Sequence, residues 1–177
     1  MTRGGHMRKP GLAGGKKSPA SALERALRFE REGMRFFTAA AAKSMDPFAR
    51  QVFSLLAKME TKHMEDIKAI ARKLEEEGKF PKVASAPHDA RMRLFRREHT
   101  RIRKEKVISG EAADGMRKAL AFEAMGREMY ARMSKNATNP QEKRFFKLLA
   151  GEEDTHFGII YEYLDFLESQ GLRMQDG

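Results

Sequence analysis

Two short motifs of one form, Glu60-x-x-His63 and Glu153-x-x-His156, place a carboxylate and an imidazole three residues apart. On a helix that spacing puts both side chains on one face. A Glu and a His so placed can exchange protons or hold a metal ion that accepts oxygen and nitrogen ligands. Both motifs interrupt apolar stripes. Phe53, Leu56, Glu60, His63, Ile67, Ile70 and Leu74 step by three and four, as do Phe146, Leu149, Glu153, His156, Ile160, Tyr163 and Leu167. An ionisable side chain on a core position costs several kcal/mol unless it is paired, so each motif demands partners from elsewhere in the chain.

A duplication supplies them. Residues 26–71 align without a gap on residues 119–164 at a constant offset of 93, with 13 of 46 pairs identical. Among the identities are Phe29/Phe122, Glu30/Glu123, Gly33/Gly126, Pro47/Pro140, Glu60/Glu153 and His63/His156. Each copy reads as two helices around a short turn. Ser21-Ala-Leu-Glu24 reads as a capping-box start, and Leu23, Leu27, Glu30, Met34, Phe37 and Ala41 follow at helical spacing. Asp46-Pro47 and Asn139-Pro140 then break the chain, with Pro suited to open the next helix. Glu30 precedes Ser44 by 14 residues and Glu60 follows Pro47 by 13. At 1.5 Å per residue both lie about 20 Å from the turn, so the first-helix Glu of each hairpin faces the Glu-x-x-His of the second.

Hairpins packed face to face bring Glu30, Glu60, His63, Glu123, Glu153 and His156 to one point of a four-helix bundle. Glu from two helices with Glu-x-x-His from two others is the inward ligand set of ferritin-like di-iron and di-manganese carboxylate bundles. Four carboxylates offset the charge of two divalent ions, and oxygen with imidazole suits Fe or Mn. The alternative is a metal-free bundle with a buried Glu/His network, against which like-charge repulsion among four carboxylates weighs. Tyr130 lies two turns after Glu123, at the place of Phe37 in the first copy, and either packs or hydrogen-bonds a ligand. Glu152, four before His156, competes with Glu153 for the ligand role, and the offset favours Glu153. Gly33 and Gly126 each cost about 1 kcal/mol in a helix, which points to space or close approach beside the metals.

Composition narrows the field further. The chain has no Cys, which excludes disulfides, thiolate zinc sites, Fe–S clusters and cysteine nucleophiles. No apolar run nears the roughly 20 residues that cross a bilayer, and no signal-peptide pattern opens the chain. The expectation is a soluble, cytoplasmic protein. Its net charge of +10 is local: residues 1–20 contribute +5 and residues 91–106 contribute +6, leaving the rest near neutral. Residues 1–20, rich in Gly and holding Pro10 and Pro19, read as a disordered tail, with Met7 as an alternative native start. Gly78 ends the second helix, Pro81 and Pro87 keep the chain extended, and Asp89 caps a basic helix to about Lys106. This stretch is a solvated crossover, or else Arg96, Arg97, Arg101 and Arg103 engage an acidic partner, lipid or nucleic acid. His88 and His99 lack ligand spacing, and the 12 Met read as gap-fillers. The division expected is a tail (1–20), a bundle (21–170, as hairpins 21–78 and 109–170 joined by a crossover 79–108) and a C-terminal tail (171–177).

The segments Ala26-Leu-Arg-Phe-Glu30-Arg-Glu-Gly-Met-Arg-Phe-Phe37, Leu55-Leu-Ala-Lys-Met-Glu60-Thr-Lys-His63 and Leu148-Leu-Ala-Gly-Glu-Glu153-Asp-Thr-His156 resemble the rubrerythrin-like branch of the ferritin-like superfamily. The resemblance implies an all-α four-helix bundle with one long crossover and a non-haem di-iron site. Glu30 and Glu123 would be terminal carboxylates, Glu60 and Glu153 bridging ones, and His63 and His156 terminal imidazoles. It also implies reduction of peroxide or O2, with iron handling of ferroxidase type as the alternative, and manganese or a mixed pair as alternative metals. Two-domain rubrerythrins carry a Cys-ligated rubredoxin centre; a Cys-free chain takes electrons from a separate, rubredoxin-like donor. The extra Glu of those proteins is replaced by Gly126, so a more symmetric, six-ligand site is expected. A homodimer is expected too, with the hairpins paired within a chain or exchanged across it.

Overall fold

The computed structural model describes residues 18–83 and 110–175, and among these residues the chain is all-helical with no strand. Helix α1 runs Pro19–Lys43, α2 Pro47–Glu77, α3 Gly110–Asn136 and α4 Pro140–Gln175. The basic stretch 91–106, His88 and His99 lie outside the described residues, as do residues 1–17.

Local chemistry sets the ends of the helices. Ser18, not Ser21, caps α1: its side chain accepts from the Ser21 backbone N–H, and Pro19 supplies the first helical position. The helix therefore begins inside the stretch expected to be tail. Asp46 Oδ1 accepts from the Phe48 and Ala49 backbone N–H groups at 2.8 Å, and Pro47 opens α2. Asn139 Oδ1 does the same for α4, accepting from Gln141 at 2.8 Å and Glu142 at 3.2 Å. Gly78, at φ 66°, closes α2 in the left-handed conformation that glycine adopts without a side-chain clash. Helix α4 runs five residues past the expected end at 170.

The two hairpins pair within one chain, and two apolar clusters hold them together. One gathers Phe37 and Ala41 of α1, Phe53 and Leu56 of α2, Met116 and Ala119 of α3, and Ile159, Ile160 and Tyr163 of α4. The other gathers Leu23, Ala26 and Phe29, Ile67, Tyr130 and Met133, and Phe146 and Leu149. The C-terminal part of α1 thus meets the N-terminal part of α3, and the start of α2 meets the end of α4, so the hairpins lie head to tail. Each fully buried Leu, Ile or Phe contributes about 1.5–3 kcal/mol. Between the clusters on α2 lie Glu60 and His63, and on α4 Glu153 and His156. The polar layer is placed where both apolar stripes are interrupted.

Candidate metal centre

All six residues expected as ligands converge. Glu30, Glu60, His63, Glu123, Glu153 and His156 are each 0% exposed. Ligand atoms of Glu30, Glu60, His63 and Glu153 lie within 4.8 Å of one another, and so do those of Glu60, Glu123, Glu153 and His156. Glu60 and Glu153 belong to both tetrads. Two metal ions sharing two carboxylates would fit this arrangement, with one Glu and one His left to each.

The imidazoles fix the orientation. His63 and His156 stack at 5.2 Å between centroids and 11° between planes, and both turn Nδ1 toward the carboxylates. His63 Nδ1 shares a hydrogen bond with Glu30 Oε2 at 2.9 Å and lies 3.5 Å from Glu60 and 3.7 Å from Glu153. His156 Nδ1 lies 3.3 Å from Glu123, 3.6 Å from Glu60 and 3.8 Å from Glu153.

Burial favours protonation of several of these groups. Burial raises the Glu30 and Glu153 carboxyls well above their ordinary range, and raises Glu123 from 4.5 to about 8. Against burial, the Glu30 carboxyl and the two imidazoles hold Glu60 below its ordinary range. Burial lowers His63, but Glu30 and Glu152 outweigh it and keep that imidazole protonated. Protonation does not satisfy the cluster. Both oxygens of Glu60, Glu123 and Glu153, both nitrogens of His156 and the Nε2 of His63 are buried without a hydrogen-bond partner of good geometry. Buried polar atoms are nearly always paired, and two divalent cations bound by carboxylate and imidazole would pair these. The donor set fits the group.

The glycines mark close approach. A Cβ on Gly33 would stand 2.8 Å from Phe122 Cε1 and 3.2 Å from Glu60 Cδ; one on Gly126 would stand 2.7 Å from Phe29 Cε1 and 3.1 Å from Glu153 Cδ. Phe29 and Phe122 stack at 4.6 Å and 13°, so α1 and α3 close that side of the cage with two rings lying against glycine backbone. The space a side chain at Gly126 would need is thus taken by the Phe29 ring edge from the other hairpin.

Tyr130 is a functional neighbour as well as a packing residue, because its hydroxyl donates to Glu30 Oε1 across the hairpin boundary. Burial and the adjacent Glu30 raise its pKa well above 10, which keeps the phenol a donor. Glu152 is no rival to Glu153: its Oε2 lies 2.7 Å from the outer nitrogen of His63, Nε2.

Residues 114–173 match the rubrerythrin family model. No curated protein and no solved structure matches the chain. The match and the all-helical architecture are consistent with a rubrerythrin-like protein of the ferritin-like superfamily, whose members bind di-iron. Among the described residues no helix is long and apolar enough to cross a membrane.

Proposed function

We propose that this chain is a non-haem di-iron oxidoreductase of rubrerythrin type that reduces hydrogen peroxide or O2 with electrons from a separate protein. The observation that carries the reading is the pair of buried tetrads sharing Glu60 and Glu153. Two iron ions held there would supply one electron each, and peroxide needs two electrons and two protons to become two waters. Glu30, His63, Glu123 and His156 would each hold one ion, and Glu60 and Glu153 would be shared between the two. The Phe29–Phe122 stack excludes bulk water from one side, where low dielectric strengthens every charge interaction. Tyr130 holds Glu30 in place through its hydroxyl. The 177 residues contain no Cys, so the donor is not a thiolate-ligated centre within them.

Metal analysis with a peroxidase assay tests the reading. About two Fe per chain, an oxo-bridged absorption band and peroxide-dependent oxidation of an added reduced rubredoxin are expected. Fe(II) uptake without peroxide-dependent turnover would move the assignment to iron handling. Metal-free protein of undiminished stability would end it.

A further inference from the structure

The six ligands repeat at an offset of 93, but what surrounds them does not. Glu30 receives the Tyr130 hydroxyl, and His63 Nε2 has Glu152 at 2.7 Å. Shifting by 93 replaces Tyr130 with Phe37 and Glu152 with Met59, both buried and neither a donor nor a strong acceptor. The counterparts lack those contacts: Glu123 meets the His156 Nδ1 at 3.3 Å without a hydrogen bond. The outer nitrogens of both imidazoles are buried without a geometrically ideal hydrogen bond, and among the described residues only that of His63 has a carboxylate against it.

We propose that the two metal positions are inequivalent, the Glu30/His63 position being tight and filled first, the Glu123/His156 position weak and exchangeable, with Glu152 and Tyr130 as the positioning residues that set the difference. The inference rests on reading the cage as a two-metal centre. A carboxylate on the outer nitrogen of a ligating imidazole fixes its tautomer and ring orientation and makes the inner nitrogen a better ligand. A phenol holding a terminal carboxylate does the same for a flexible Glu. His156 and Glu123 have no such support, so the incoming ion must itself order them, at a cost in side-chain entropy. One ion is then resident, and the other is gained and lost at the end nearest Glu123.

Anaerobic calorimetric titration of the metal-free full chain with Fe(II) tests this. Two resolved steps are expected, about tenfold or more apart. Glu152→Met, which copies the first hairpin's residue, weakens the tight step about 10–100-fold and leaves the weak one in place. Glu152→Gln, which keeps an acceptor, recovers part of that loss, and Tyr130→Phe weakens the tight step less. His156→Ala retains the tight step and His63→Ala removes it. Two ions binding wild type with one affinity, a Glu152→Met effect equal on both steps, or His63→Ala sparing the tight step would each overturn the inequivalence while leaving the two-metal reading intact. Wild type that binds no ion would overturn both. Should Glu152→Met misfold, the wild-type isotherm and Tyr130→Phe still decide.

Discussion

The two hairpins, α1–α2 and α3–α4, present the same Glu and Glu-x-x-His at the same height, and their glycines meet the same ring from the opposite hairpin at nearly the same distance. Away from those contacts they part. Asp46 caps α2, is buried, and also accepts the Tyr163 hydroxyl at 3.3 Å, whereas Asn139 caps α4 without a charge. Tyr130 and Glu152 reach from the second hairpin to ligands of the first, and their repeats Phe37 and Met59 offer nothing comparable in return. The residues that touch a metal position or permit the closest approach have stayed the same in both copies. Residues that contact those side chains from behind differ between the copies, as Tyr130 against Phe37 and Glu152 against Met59.

The largest test of that division contrasts shared with unshared ligands. Glu60→Ala combined with Glu153→Ala should take iron from about two ions per chain to none, because each carboxylate belongs to both tetrads. Glu30→Ala and Glu123→Ala should each leave about one, as read by elemental analysis of the purified protein; equal loss in all three would erase the distinction.

Acidity comes next in size. Glu123 holds its proton to about 8 when folded and to an ordinary 4.5 when unfolded. A carboxyl raised by folding contributes stability that is complete below 4.5 and is lost as pH rises toward 8; His63, also raised, changes stability in the same sense. The metal-free protein should therefore melt at lower temperature as pH rises from 5 to 8, by up to about 1.4 kcal/mol per pH unit for each proton. Iron binding displaces these protons, so the iron-loaded protein should show little of that slope. A flat metal-free profile in thermal melts would contradict the proton-filled cluster.

Gly33→Ala and Gly126→Ala probe where the halves are alike. Alanine favours a helix by about 1 kcal/mol, but here its Cβ meets a ring edge and a ligating carboxylate, and overpacking of this kind costs about 1–3 kcal/mol. Both variants should be destabilised by a similar net amount in denaturant melts, and a stabilised variant would mean that the rings yield easily. Smallest is Phe37→Tyr, which offers Glu123 the phenol that Glu30 already has. Tightening of the weaker Fe(II) step by a few-fold is expected, and no change would show that the phenol's reach differs between the hairpins.

The convergence of the six side chains is legible in the sequence because period, turn position and offset are all local or repeat-based quantities. Six side chains spread over 126 residues, from Glu30 to His156, could be placed together from helix rise and the repeat offset. Tyr130 and Glu152 were not legible as neighbours of Glu30 and His63, since both contacts cross between hairpins in a direction that no spacing within a helix encodes. The glycines were read as close approach without the approaching group, which proved to be Phe122 and Phe29. The start of α1 was missed by three residues, because Ser21-x-x-Glu24 matches a capping box while Ser18-Pro19 holds the helix end.

Each tetrad draws three ligands from one hairpin and one from the other: Glu153 completes the set of Glu30, Glu60 and His63, and Glu60 completes that of Glu123, Glu153 and His156. Neither hairpin can complete either set by itself. A bound ion is therefore a clasp between the two halves of the chain as much as a reagent.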